Sequence, residues 1–178
     1  DQSSAASDVY KRQNIDLCPE SLNIDELKSS DFLLFDNFSL SSKKGIETLE
    51  YSLSMPNDLR LFFGISDINL IKENFKSLKK VLLNKIDTIY GTEGEVNALQ
   101  KVMSNPAKNT LSTKGSQGAK YNQINIKASE TDIINSNGAG DALIGTFLAY
   151  LDIIGNESAL EKAVSYATEI CKVSGPRL

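Results

Sequence analysis

Asn135-Ser136-Asn137-Gly138-Ala139-Gly140-Asp141 stands directly before an apolar run, Ala142 to Ile154. The run reads as a helix. A helix start points unpaired N–H groups and the positive end of its dipole at whatever lies in front of it. Two glycines free the backbone to come close to a ligand, and Asp141 is a carboxylate placed to take a proton beside that anion site. An anion cradle next to a base is the minimum equipment for moving a phosphoryl group onto a hydroxyl. The plainer reading is a glycine-rich helix start, with Asp141 complementing the dipole for roughly 0.3–1 kcal/mol. A dinucleotide fingerprint does not fit: it needs a third glycine where Leu143 stands, and a strand where a second helix follows. A Walker loop is absent as well.

Outward from this stretch, apolar runs and helical patterns alternate. Phe32-Leu33-Leu34-Phe35 is a short buried strand, Leu59 to Ile65 a second, Asp87 to Tyr90 a third, and Asn109 to Ser112 a fourth. Helices are expected over Ser41 to Leu53, Asp67 to Leu83 and Thr92 to Met103, from apolar residues at 3/4 spacing such as Ile71, Phe75, Leu78 and Leu82. From Ser116 to Lys127 the pattern becomes short and alternating, with turns at Gly115 and Asn122, which predicts an antiparallel hairpin. Helices over Gly140 to Ile154 and Glu157 to Val173 close the chain. Strands alternating with helices argue for a mainly parallel sheet covered on both faces.

Composition narrows the function. The chain has 178 residues, 40% hydrophobic and 24% charged, which is ordinary for one globular domain. A net charge of −4 speaks against nucleic acid or an anionic membrane surface as the main partner. No apolar run reaches the roughly 18 residues of a membrane span. Cys18 and Cys171 are isolated, as expected in a reducing cytoplasm. There is no histidine, so Ser-His-Asp chemistry and His-based zinc sites cannot be built within the chain, and acid–base work falls to Asp, Glu, Lys or Tyr. Asp8-Val9-Tyr10-Lys11-Arg12-Gln13 resembles the translation of a sequencing-adapter end. Residues 1–13 are therefore expected to be an adapter artefact outside the fold, and residues 14–178 to be the fold itself.

Two further segments carry chemistry only in company. Thr92-Glu93-Gly94-Glu95 fits the capping box, in which Glu95 reaches back to the helix start. In its functional reading, Glu95 stands near the water shell of a magnesium ion. Thr110-Leu111-Ser112-Thr113-Lys114-Gly115 is a strand running into a glycine turn.

Together the three segments resemble the ribokinase/PfkB family of carbohydrate and nucleoside kinases. Asn137 to Leu148 resembles its Gly-Ala-Gly-Asp signature, Tyr90 to Glu95 its Asn-x-x-Glu segment, and Thr110 to Gly115 its Thr-Leu-Gly-x-x-Gly strand. Gly64-Ile65-Ser66-Asp67, followed by Asn74-Phe75, is similar to the adenosine-kinase-like branch. Val173 to Arg177 resembles the tail of some members. The resemblance covers about residues 20–178. It implies a three-layer αβα ribokinase-like fold of which this chain is the C-terminal portion, without the N-terminal substrate and lid part.

The implied activity is ATP-dependent phosphorylation of a hydroxyl on a sugar or nucleoside, with Mg2+ and a monovalent cation. Asp141 would be the base, and Gly138, Ala139 and Gly140 the anion hole. Thr110, Ser112 and Gly115 would lie along the nucleotide, and Glu95 would hold Mg2+ through water. The longer parent would be cytoplasmic and form a homodimer, and the fragment alone would be inactive. Three departures stand against the pattern: Thr92 for its asparagine, Ser112 for the middle glycine, and Asn135 for the leading aspartate. They are the basis of an alternative, a catalytically weakened nucleotide- or sugar-binding regulator on the same fold.

Overall fold

The computed structural model describes residues 17–55, 58–73 and 85–174. The expected adapter segment and the later part of the helix expected over Asp67 to Leu83 lie outside them. The chain groups into two compact units, one made of Asp1–Tyr90 and Gly94–Lys108, the other of Gly91–Glu93 and Asn109–Leu178.

In the first unit, α1 (Ile24–Ser29), β1 (Phe32–Asp36), α2 (Lys43–Ser54), β2 (Arg60–Gly64) and α3 (Ile68–Glu73) follow in order, with β3 (Ile86–Thr92) and α4 (Glu93–Val102) except for Gly91–Glu93, which group with the second unit. β1 pairs with β2 in parallel, Phe32 opposite Arg60 and Asp36 opposite Gly64. β2 pairs with β3 in parallel, with an irregularity between Leu61 and Phe62. From Leu61 to Gly64, β2 is buried without a break, as a parallel strand covered on both faces must be. Its Leu61 and Phe63 join Leu49 of α2, Ile89 of β3 and Leu99 of α4 in one apolar core. α2 begins where Ser42 Oγ accepts from the Gly45 amide at 3.0 Å, a side-chain cap satisfying one of the orphan N–H groups.

Asn37, completely buried just beyond β1, fastens the carboxyl ends of two strands. Its amide donates to Gly64 O at 3.0 Å. Its Oδ1 accepts from the Ser66 amide at 2.8 Å and the Asp67 amide at 3.3 Å, and its Nδ2 donates to Asp67 O. One carboxamide thus replaces the water that this turn would otherwise need.

In the second unit, β4 (Asn109–Thr113), β5 (Ala119–Tyr121) and β6 (Ile124–Ile126) precede two long helices, α5 (Ala139–Ile154) and α6 (Asn156–Ile170). β4 and β5 are antiparallel, Leu111 opposite Tyr121 and Thr113 opposite Ala119, and β5 and β6 are antiparallel in turn. The hairpin expected over Ser116 to Lys127 is the β5–β6 pair. It turns at Asn122, with a φ of 52°. The Asn122 side chain accepts from the Thr110 amide at 2.9 Å and donates to Asn109 Oδ1 at 2.8 Å, which ties the turn back to β4. Asparagine tolerates the left-handed conformation better than most residues.

α5 and α6 pack against each other, and Leu143, Phe147 and Leu151 of α5 and Leu160, Ala163 and Ala167 of α6 are buried. The Tyr121 ring stands 4.9 Å from that of Phe147, so the face of the strands that carries Tyr121 meets the helices. No helix among the described residues is long and apolar enough to cross a membrane.

Candidate functional site

α5 starts where the glycines foretell a start, and without side-chain help. Its N-cap is Gly138, at φ 79° and ψ −6°, and no side chain caps it. An L-residue with a side chain pays a steric cost in this left-handed conformation. The Ala139 amide, expected to face an anion, instead donates to Ser136 O at 3.2 Å, while the Ala142 amide closes the first helical bond to Gly138 O at 2.8 Å. The amides of Gly140 and Asp141 have no acceptor among the described residues. They are therefore the free donors of the first turn. Gly140 has nothing within 4 Å of the place a Cβ would occupy. An unpaired N–H beside uncrowded space at a helix start is suited to a phosphate. The Asp141 carboxylate is exposed and has no hydrogen bond or ion pair among the described residues.

The segment leading to α5 is braced against the end of α6. The carbonyl of Cys171 accepts from the amides of Ile134 at 2.9 Å and Asn135 at 3.2 Å. Asn135 Oδ1 accepts from the Asn137 amide at 2.9 Å, and its Nδ2 donates to Ser174 O at 3.3 Å. An aspartate could accept the first bond but could not donate the second. The asparagine that departs from the kinase signature therefore has a positional use of its own.

A cavity of about 690 Å³ opens within the second unit, in front of the α5 start. Of the site residues expected from sequence, Ala139, Gly140 and Gly115 line it. Gly138, Asp141, Thr110 and Ser112 do not, and Glu95 lies on α4 in the first unit, half-buried. The strand pleat explains the difference on β4. Residues directly opposite on antiparallel strands share a face. Leu111 and Thr113 thus share the face of Tyr121 and Ala119, toward the helices, while Ser112 shares the opposite face with Lys120.

The cavity takes in Thr92, Thr113, Gly115 and Gly118, and these positions expose a second register for the motif. Thr113-Lys114-Gly115-Ser116-Gln117-Gly118 satisfies Thr-x-Gly-x-x-Gly with both glycines present, three residues beyond the register that starts at Thr110. In it, Ser112 is no longer a departure. The turn has a backbone reason for its last glycine. Gly118 has a φ of 95°, and a Cβ there would lie 2.0 Å from Ile126 O and 2.7 Å from Ala128 N. At the same end of β4, Lys114 Nζ stands 3.3 Å from Glu93 Oε1. Thr113 and Gly118 are the residues that sequence reasoning passed over, and the repeated glycine spacing was the signal that could have found them.

No protein-family model matches the chain, and no curated protein matches it. Its shape is nevertheless similar to that of solved kinases. An adenosine kinase from Sinorhizobium meliloti matches over 92% of this chain and 56% of its own length, with a TM-score of 0.77 at 16% identity. An adenosine kinase from Schistosoma mansoni, in complex with 2-fluoroadenosine, matches over 92% of this chain and 58% of its own, with a TM-score of 0.74 at 19% identity. A protein from E. coli assigned as a ribokinase II, in complex with ATP and Mg2+, matches over 90% and 58%, with a TM-score of 0.76 at 22% identity. The chain spans less than two thirds of the length of each of these proteins. What it shares with all three is architecture, and the chain has the ribokinase-like fold of sugar and adenosine kinases.

Proposed function

We propose that this chain carries the nucleotide-holding and proton-accepting part of an ATP-dependent kinase that phosphorylates a hydroxyl on a sugar or nucleoside. The single observation that carries the reading is the cavity meeting the uncapped start of α5, with open space at Gly140 and an unengaged carboxylate one residue on at Asp141. The fold shared with sugar and adenosine kinases supports it independently.

In this reading the Gly140 and Asp141 amides donate to the oxygens of the transferring phosphoryl group, on which negative charge builds. Fixed donors of this kind need no reorganisation at the moment of reaction. Asp141 takes the proton from the acceptor hydroxyl as its oxygen bonds to phosphorus and the bond from phosphorus to the leaving nucleoside diphosphate breaks. Phosphoryl transfer asks for positioning and charge stabilisation and no covalent help, so the absence of histidine is no obstacle. Thr113, Gly115 and Gly118 would line the nucleotide, a better-supported set than Thr110 and Ser112. Mg2+, when bound, would neutralise phosphate charge through oxygens and water.

The test has two stages. The 178-residue chain should bind ATP in a calorimetric titration. Protein made from a coding sequence extended upstream should then transfer phosphate from ATP to a sugar or nucleoside. In it, Asp141→Asn should lower turnover about 10²–10⁴-fold, the usual contribution of a positioned base. If that variant keeps turnover within a few-fold of wild type, Asp141 is not the base.

A further inference from the structure

The cavity is chemically unequal from end to end. The free amides at the start of α5 ask for an anion, and the walls include apolar side chains from Ile133, Leu143 and Val164. Most of the polar lining is neutral hydroxyl. Glu130 is the exception, the one charged side chain among the described lining residues. It sits on the segment between β6 and α5, it is exposed, and its carboxylate has no hydrogen bond or ion pair among the described residues.

An ionised carboxylate only accepts hydrogen bonds, and it repels phosphate. A ligand that satisfies Glu130 therefore carries donors at one place and its anionic group at another. A ribonucleotide has this polarity. Its base can lie on the apolar wall and its phosphates at the amides of α5, with two adjacent ribose hydroxyls between them. Those hydroxyls can donate to the two oxygens of one carboxylate, the same chemistry by which acidic side chains read a ribose 2′-hydroxyl in dinucleotide sites.

We propose that Glu130 accepts hydrogen bonds from the ribose diol of the bound nucleotide and makes the cavity selective for ribonucleotides over deoxyribonucleotides. The inference rests on the nucleotide reading of the cavity given above. Since Glu130 is exposed and bonded to nothing in the protein, its replacement leaves the fold alone, which circular dichroism checks.

The experiment is calorimetric titration of the 178-residue chain and of its Glu130→Ala and Glu130→Gln variants with ATP, 2′-deoxy-ATP and inosine triphosphate. The wild type should prefer ATP over 2′-deoxy-ATP by about tenfold, the ratio expected from one charge-assisted hydrogen bond. Glu130→Ala should abolish that preference, and Glu130→Gln should retain part of it. An unchanged preference in Glu130→Ala overturns the proposal. So does a loss that falls on ATP against inosine triphosphate, which would mean that Glu130 reads the base amine. If the wild type binds no nucleotide at all, the reading of the cavity itself fails and this inference falls with it. Binding of ATP with no sugar preference sinks the inference alone.

Discussion

Replacing Gly140 by alanine should strengthen the fold and weaken nucleotide binding, two effects of opposite sign from one methyl group. Gly140 is the second residue of α5 and exposed, and nothing lies within 4 Å of its would-be Cβ. An alanine there meets no clash and restricts the unfolded chain, for a gain of about 0.4–1 kcal/mol. For a chain of this length that corresponds to a rise in Tm of roughly 1–4 °C. Gly140 also lines the cavity, and in the proposed reading the same methyl crowds the phosphate that must come within hydrogen-bond distance of the Gly140 and Asp141 amides. Loss of hydrogen bonding to a charged group costs about 1.5–3 kcal/mol, a roughly ten- to hundredfold weaker Kd for ATP. Thermal unfolding and calorimetric titration on the same preparation measure both. A Tm that drops by several degrees would show that the space at Gly140 is not open. An ATP affinity equal to wild type would show that phosphate does not approach this turn.

Gly118→Ala should behave in the opposite way, because its methyl would meet Ile126 O and Ala128 N at a left-handed φ. A loss of about 2–5 kcal/mol is expected from overpacking and backbone strain together, read as the shift of the urea midpoint; an unmoved midpoint contradicts the turn geometry. Asn37→Ala should destabilise by about 2–4 kcal/mol, since it leaves the Ser66 and Asp67 amides without their acceptor, and chemical denaturation within 0.5 kcal/mol of wild type would refute that assignment. Thr113→Val should weaken ATP binding several-fold while Ser112→Ala leaves it unchanged, because β4 presents only the former to the cavity; the reverse result would restore the register that starts at Thr110.

The sequence carried the local part of this structure. Gly138 and Gly155 bracket an apolar run, and α5 spans Ala139–Ile154 between them, because a left-handed residue and a helical period are properties of a few neighbours. Leu59 to Ile65 read as a strand, and β2 spans Arg60–Gly64; Asn122 announced a turn, and its φ is 52°. The helix start and the carboxylate after it suggested phosphoryl transfer beside the plainer reading of a glycine-rich helix start, while the absence of histidine removed competing chemistries.

What remained hidden depended on partners far along the chain. The face of β4 that meets the cavity was ambiguous, because strands alternate with a period of two and a small slip of the motif exchanges Ser112 for Thr113. Only the pairing of Leu111 with Tyr121, and of Tyr121 with Phe147, decides it. Asn135 looked like a departure until Ser174 and Cys171, far along the chain, arrived beside it. Glu130 carried no motif at all. It became a candidate when the β6–α5 segment brought it to the same cavity as Gly140 and Thr113. Helix starts and turns are written in short-range sterics, which a sequence displays. The membership of a cavity is set by which distant backbones tertiary packing brings together, and that is decided only in the folded chain.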